Sequence, residues 1–317
     1  MRAMVLEKQG RVEDKPLRLV EWREPEPEEG YVILKVKACG VCRTDLHIVE
    51  GELEAKKLPL IPGHQVVGEA EGRKFGVIWL YKSCSECEYC RRGLENLCER
   101  ADFTGYTVDG GYAEYIKAPR DFIHPIPSEY PDLDAAPLLC AGVIGYRAFK
   151  LSGEGKKLGI YGFGAAAHII TQVAVHKGCD VFVFTRGEAH RRLALKLGAV
   201  WAGSAYEIPE KLDRAIIFAP AGELVPLALK ALKKGGTLAL GGIYMSPIPE
   251  MEYSLLYEER KIVSVANTTR EDARELLELA PKIPIRTHIE VFPLEEANEA
   301  LINLKEGRIE GACVLAI

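Results

Sequence analysis

The chain has no surplus of basic charge: 41 lysines and arginines face 46 aspartates and glutamates, for a net charge of −5. Nothing electrostatic therefore favours a polyanion, and no nucleic-acid partner is expected. There is no internal repeat and no low-complexity segment. With 30 glycines, 18 prolines, 48% hydrophobic and 27% charged side chains in 317 residues, a collagen-like or disordered chain is excluded. The opening MRAMVLEKQGR shows neither an apolar core nor a small-residue cleavage site, so a soluble, cytoplasmic protein is the expectation. One stretch, Leu158 to Val175, lacks any Lys, Arg, Asp or Glu over 18 residues. Gly159, Gly162 and Gly164 cluster near its start, which predicts a strand, a turn and a helix rather than a membrane span.

Cysteine is plentiful and unpaired in number. Nine cysteines without an export signal argue against a disulfide framework. Four of them, Cys84, Cys87, Cys90 and Cys98, fall in CSECEYCRRGLENLC with the spacing C-x2-C-x2-C-x7-C. One short loop can wrap four such thiolates around a tetrahedral ion, and zinc with no open position suits the set. The alternatives are a chance cluster of buried thiols and a zinc ribbon on nucleic acid. Glu86, Glu88, Glu95 and Glu99 are mixed with Arg91, Arg92 and Arg100, so no basic patch supports the latter. A structural zinc is expected.

Residues 1 to about 140 alternate short apolar runs with turn signals, as in Tyr31 to Lys37, and predict a β-rich lobe. From Lys156 to about Val265, strands that are apolar throughout alternate with helices. Ala165–His176, AHRRLALKLGA and ELVPLALKALKKGG read as helices between the strands KLGIYG, DVFVFT, DRAIIFA, GTLALGG and KIVSVA. Such alternation means a parallel sheet covered on both faces. The tail predicts helices at Glu271–Leu279 and Leu294–Lys305 and a last strand ACVLAI. Between the first strand and helix of the middle region stands Gly162-Phe-Gly164-Ala-Ala-Ala167, the dinucleotide fingerprint in its required context. Gly162 permits the tight turn, Gly164 lets the backbone approach a pyrophosphate, and Ala167 packs helix on sheet. At the end of the next strand an acid would accept from the ribose 2′-OH of NAD. Here the chain reads Thr185-Arg186-Gly187, with Arg191 and Arg192 a turn later. A guanidinium suits a 2′-phosphate, which predicts NADP(H) over NAD(H), although an arginine on a helix face can also be merely solvated.

The strings Cys39-Gly-Val-Cys42-Arg43-Thr44-Asp45-Leu-His47, Gly63-His64-Gln65, Leu139-Cys140-Ala141-Gly142 and GYTVDGGYAEY occur in order with the four-cysteine loop. Together they resemble the zinc-dependent alcohol dehydrogenases of the medium-chain dehydrogenase/reductase superfamily, in a short form. The resemblance implies a β-rich GroES-like catalytic domain at 1–141, a doubly wound Rossmann cofactor domain at 142–268, and a return of 269–317 to the catalytic domain. It implies two zinc ions per chain. Cys42, His64 and Cys140 would hold the catalytic one and leave its fourth position open. Asp45 would orient the His64 imidazole, in keeping with the rule for metal-bound histidines. Thr44 would hydrogen-bond the substrate oxygen and pass its proton through the cofactor ribose to His47, and Arg43 would reach the pyrophosphate. Trp79 matches a pocket-lining position, although a core tryptophan is the competing assignment, and Leu53 and Ile144 would make that pocket apolar.

The implied activity is hydride transfer between NADP(H) and an alcohol, aldehyde or ketone held on a catalytic zinc, in a homodimer or homotetramer with no membrane partner. Three departures set this chain apart: Gln65 where the family has Glu, Ala312 where relatives carry Arg, and a shortened connection EAEGRKFGVIW. Polyol dehydrogenases offer Glu where Cys140 stands, and zinc-free quinone reductases lack these ligands altogether. The alternative from another class is a catalytically silent NADPH-binding redox sensor or structural protein on the same fold, supported only by Gln65 and Ala312. Cys39, Cys179 and Cys313 are expected as small apolar residues in strands, and His124, His168, His176, His190 and His288 receive no site role.

Overall fold

A computed structural model describes residues 1–283 and 285–317. The chain divides into two compact units, Met1–Cys140 with Asn267–Lys282 and Arg286–Ile317, and Ala141–Ala266 with Ile283–Ile285.

The first unit is built on a seven-stranded sheet whose centre is the strand Tyr31–Val41. Its sequence YVILKVKACGV turns from half-solvated to fully apolar along its length, and its last four residues are buried. It pairs antiparallel with Gln65–Ala70, Tyr115–Pro119 and Ala312–Ala316. Arg73–Val77 and Ile123–Pro125 extend one side, and Ile289–Pro293 joins Ala312–Ala316 in parallel on the other. Leu34, Val36, Ile61, Val66, Tyr112 and Leu315 belong to one buried cluster on this sheet. Burying each such side chain is worth roughly 1.5–3 kcal/mol, which fixes the register of the strands carrying the site.

The second unit is a six-stranded, wholly parallel sheet. Its spatial order is Trp201–Gly203, Asp180–Phe184, Lys157–Tyr161, Leu212–Ile217, Leu232–Leu240, Lys261–Ser264. Counted in chain order this is 3-2-1-4-5-6, the doubly wound Rossmann arrangement, with its reversal between Lys157–Tyr161 and Leu212–Ile217. The uncharged stretch from Leu158 is the strand Lys157–Tyr161, a turn at Gly162 and the helix Ala165–His176. Among the described residues no helix is long and apolar enough to cross a membrane.

Three local expectations are corrected. The helix read through KKGG ends at Ala231, and Leu232–Leu240 is strand; it pairs with Leu212–Ile217 at Leu232 and again from Thr237, and KKGG, whose two consecutive glycines forfeit helix propensity, lies in the irregularity between. Leu294–Glu296 is a 3-10 turn, and the α-helix begins only at Ala297. Cys179 is not in a strand: it precedes Asp180–Phe184 in a turn and is half-buried.

The helix Arg270–Leu279 starts from a capping box, in which Thr269 and Asp272 satisfy each other's backbone N–H groups. Its first residue, Arg270, binds both carboxylate oxygens of Glu95 and lies 4.3 Å over the Phe122 ring. His124 sits close by in the strand Ile123–Pro125, its Nε2 without a hydrogen-bond partner among the described residues. Burial, aided by the Arg270 charge, pushes this imidazole down to about 4 from an ordinary 6.5. Between those values the unfolded chain binds the extra proton and the folded chain does not, so stability rises with pH. This group is expected to contribute about 3 kcal/mol above pH 6.5, lost as the pH falls toward 4. Denaturant unfolding of His124→Leu across that window should show a flatter acid limb than the parent; an unchanged slope would remove the assignment.

Candidate active site

Cys42 follows the long central strand and caps the helix Arg43–Glu50. Its sulfur accepts from the Thr44 backbone N–H at 3.4 Å. Its own N–H donates to Asp45 Oδ2 at 2.9 Å, while Asp45 Oδ1 bonds His64 Nδ1, also at 2.9 Å. One wholly buried carboxylate thereby fixes two of the three expected ligands and sets the ring so that Nε2 faces the sulfurs. Nε2 lies 3.3 Å from Cys42 Sγ and 3.3 Å from Cys140 Sγ. The three ligand atoms lie within 4.8 Å of one another. Tetrahedral zinc at ordinary bond lengths would separate sulfur from nitrogen by about 3.6 Å and sulfur from sulfur by about 3.8 Å, so the set fits that ion.

The loop into His64 depends on Gly63, which adopts φ +95° and whose added Cβ would lie 2.3 Å from the Tyr112 ring and 2.8 Å from Cys39 Sγ. Cys140 arrives from the other direction, at the end of the buried 3-10 turn Ala136–Leu139. A hydrogen bond from the Cys140 thiol, together with the His64 imidazole, holds Cys42 well below the ordinary thiol range although burial opposes it. The same contact and burial keep Cys140 well above that range. Burial works to lower His64, but the Asp45 and Cys42 charges outweigh it and raise the ring well above its usual value. Two sulfurs, an imidazole and a carboxylate form a hydrogen-bonded set from which a divalent cation would displace protons.

The second cluster brings Cys84, Cys87, Cys90 and Cys98 together. Cys84 and Cys90 sulfurs are 3.9 Å apart, again the separation two thiolates take on one zinc. Backbone N–H groups aim at the sulfurs: Cys84 at Cys98, Cys87 at Cys84 and Cys90 at Cys87, at 3.3–3.5 Å. The Glu86 backbone N–H leads the effects that bring Cys84 down to about 6, whereas burial pushes Cys98 up to about 11. The antiparallel pair Leu80–Lys82 and Asp102–Phe103 closes the base of this loop.

In the Rossmann unit Gly162 has φ +86° and an added Cβ would meet the Ala219 backbone N at 2.9 Å. Gly164 caps the helix Ala165–His176, and a Cβ there would meet nothing within 4 Å, so the approach to the helix N-terminus is open. Ala167 is wholly buried against the sheet. Thr185 follows the strand Asp180–Phe184, and its carbonyl accepts from Arg191 Nε at 3.1 Å. Arg191 and Arg192 both lie within 4.0 Å of Glu188, whereas exposed Arg186 enters no ion pair among the described residues.

Thr44 is buried in the first turn of its helix, Arg43 is exposed beside it, and His47 Nδ1 is against the Glu52 carboxylate. Trp79 is no isolated core residue. Its ring meets His64 edge-on at 5.0 Å and stacks on Phe103 at 5.3 Å and Tyr106 at 5.6 Å. Leu53 is half-buried against the same core, and Ile144 is half-buried on the helix Ala141–Leu151 of the other unit. Phe103, Tyr106 and Glu52 were not anticipated. The only hint was aromatics at 103 and 106 around a turn glycine. Gln65 is buried with its carboxamide across Gly40, and the Ala312 N–H donates to the His288 carbonyl inside the sheet.

Residues 28–128 match the alcohol dehydrogenase GroES-like domain and residues 166–282 the zinc-binding dehydrogenase domain. The chain is 44% identical over 337 residues to a probable alcohol dehydrogenase AdhA of Mycobacterium tuberculosis, covering 100% of this chain and 97% of that one. It is 37% identical over 326 residues to an alcohol dehydrogenase of Geobacillus stearothermophilus, with 96% of each covered. Among solved structures, a cinnamyl alcohol dehydrogenase of Sorghum bicolor superposes with a TM-score of 0.89 at 26% identity, over 99% of this chain and 97% of that one. The chain belongs to the zinc-type alcohol dehydrogenases of the medium-chain dehydrogenase/reductase superfamily.

Asp45→Asn keeps the shape of the side chain but removes the charge that orients His64. We expect zinc affinity at Cys42, His64 and Cys140 to fall by about 10–100-fold, with the four-cysteine zinc retained. If zinc fills both clusters, metal analysis after mild chelation should then give one zinc per chain in the variant and two in the parent. Equal retention by both proteins would show that Asp45 does not hold the ligand set.

Proposed function

We propose that this chain is an NADP(H)-dependent alcohol dehydrogenase or carbonyl reductase with two zinc ions. The catalytic ion belongs at Cys42, His64 and Cys140, and the structural ion at Cys84, Cys87, Cys90 and Cys98. The observation that carries this reading is the contrast between the two clusters: four thiolates close one tetrahedron, while two thiolates and an Asp45-held imidazole leave the other one ligand short. When bound, zinc supplies Lewis-acid polarisation of a substrate oxygen, and the nicotinamide gives or takes the hydride.

The side chains then divide the remaining work. Asp45 keeps His64 Nδ1 engaged and so keeps its Nε2 available as a ligand. Thr44 and His47 stand three residues apart on one helix and share a face. The Thr44 hydroxyl takes the proton of an alcohol, and His47 relays it toward solvent, where Glu52 holds its Nδ1. Trp79, Phe103, Tyr106 and Leu53 supply an apolar wall beside His64, which favours carbonyls with planar or bulky apolar groups. Gly162, Gly164 and Ala167 admit the pyrophosphate, and Arg43 is a separate candidate for a cofactor phosphate. Thr185, Arg186 and Arg191 face the adenosine ribose, and Arg186, which enters no ion pair among the described residues, carries the 2′-phosphate preference.

A homo-oligomer is supported by the edge strand Lys261–Ser264 and by exposed Ile243, Ile248, Tyr253 and Tyr257 in the same unit.

The reading is tested by NADPH oxidation with zinc-loaded protein over aliphatic, aromatic and bicyclic carbonyls. Turnover is expected with the aromatic and bicyclic members, and His64→Ala should abolish it. NADPH binding without turnover on any member would favour the silent sensor instead. Separately, Arg186→Asp should lower the NADPH-to-NADH ratio of kcat/KM by roughly tenfold or more, the scale of a lost charge-assisted contact. A ratio that does not move would assign the preference elsewhere.

A further inference from the structure

With zinc at both clusters, seven of the nine cysteine sulfurs are ligands. Cys39 and Cys313, at 0% and 1% exposure, are sealed in the first unit's core. Cys179 alone remains half-buried and outside any cluster. It lies in the turn between the helix Ala165–His176 and the strand Asp180–Phe184, its N–H given to the Ala174 carbonyl. Facing it is Arg214, from the central strand Leu212–Ile217 of the parallel sheet and only 6% exposed.

Arg214 is in an unusual position for a cation. Nη1 donates to the carbonyls of Phe149 and Gly153, and the guanidinium carbon sits 4.2 Å above the Phe149 ring. Nε has no acceptor, and among the described residues no carboxylate pairs with the group. Nη2 donates to Cys179 Sγ at 3.1 Å. An arginine stays protonated in a protein, and a buried charge without a counter-charge is costly. Among the described residues the sulfur is the only side-chain acceptor that the guanidinium reaches. Its other polar neighbour, the Gly155 carbonyl, is 4.0 Å away.

We propose that Cys179 is a covalent modification site, its half-buried sulfur held by a hydrogen bond from the buried Arg214 guanidinium and reactive toward low-molecular-weight disulfides. The thiolate is the nucleophile in such exchange, and cysteines beside a cation with partial exposure are where it persists. With glutathione disulfide, Cys179 Sγ attacks one of the two sulfurs. The new S–S bond forms as the old one breaks, and the departing glutathione thiolate takes the electron pair and then a proton from water. Cys179 is oxidised and half of the reagent is reduced. The site stands at the N-terminal ends of the strands, whereas Gly162 and Thr185 stand at the C-terminal ends. It is therefore independent of the dehydrogenase reading.

The test uses the zinc-loaded full chain, with each cysteine followed by peptide mass spectrometry. Iodoacetamide at pH 7 should alkylate Cys179 about fivefold or more faster in the folded protein than in the guanidinium-unfolded chain, where burial alone would make it slower. Arg214→Met should slow the folded reaction about tenfold, with Arg214→Lys between the two. Glutathione disulfide should add one glutathionyl group, on Cys179, removable by dithiothreitol. A folded rate at or below the unfolded one, an Arg214→Met protein that reacts as fast as the parent, or an adduct on another cysteine would each overturn the proposal. If Arg214→Met does not fold, the folded-to-unfolded ratio of the parent decides.

Discussion

The Asp45 carboxylate is the constraint on which the candidate metal site depends. It is wholly buried, a state that costs several kcal/mol unless the charge is hydrogen-bonded and paired. Two bonds at 2.9 Å use it: one to the backbone N–H of Cys42 and one to the ring of His64. The first bond is also half of a helix N-cap, so the start of Arg43–Glu50 and the position of a metal ligand are the same structural event. The second reaches across to a residue 19 positions away, at the start of a neighbouring strand. Gly63 permits that approach by adopting a left-handed conformation against Tyr112 and Cys39. Thr44 and His47 then take their positions from a helix whose first turn the metal site itself defines.

The two candidate metal clusters are built on different principles. The four-cysteine loop draws all its ligands from 15 consecutive residues, aims its own N–H groups at its sulfurs and is closed by a two-stranded ribbon. Glu95 within it grips Arg270, so that loop also anchors the returning chain segment to the unit. The Cys42–His64–Cys140 set comes from three separate segments and exists only when the sheet around Tyr31–Val41 is formed. A self-contained cluster can hold metal while the sheet loosens; the assembled one cannot. That difference suits a closed structural site and an open reactive one.

What was legible in the sequence was local. C-x2-C-x2-C-x7-C, the run CRTDLH and Gly162-x-Gly164-x-x-Ala167 each place their residues within one loop or helical turn, so spacing alone fixes their relative positions. Uniformly apolar strands between helices likewise announced the parallel sheet, whose order the structure gives as 3-2-1-4-5-6. What was not legible required partners brought together by folding. Trp79 stacks on Phe103 and Tyr106 only because Leu80–Lys82 pairs with Asp102–Phe103 beside it. Nothing in the spacing of Cys179 and Arg214 indicates that they meet, since their contact follows from where two parallel strands begin. The glycine pair in KKGG misled for a related reason: helix periodicity continued past the point where a partner strand was available.

The parallel sheet gives the cofactor unit two chemically distinct ends. At the C-terminal ends Gly162 makes the turn, no atom lies within 4 Å of where a Gly164 Cβ would stand, and the helix N-terminus behind them turns a partial positive charge outward. At the N-terminal ends the strands are joined by tight turns, and there a buried guanidinium substitutes two carbonyls, an aromatic face and a sulfur for a carboxylate. A carboxylate in place of Cys179 would pair the charge permanently. A thiol accepts from the guanidinium only while it remains unmodified, so this contact at the N-terminal ends of the strands depends on the chemistry of one sulfur.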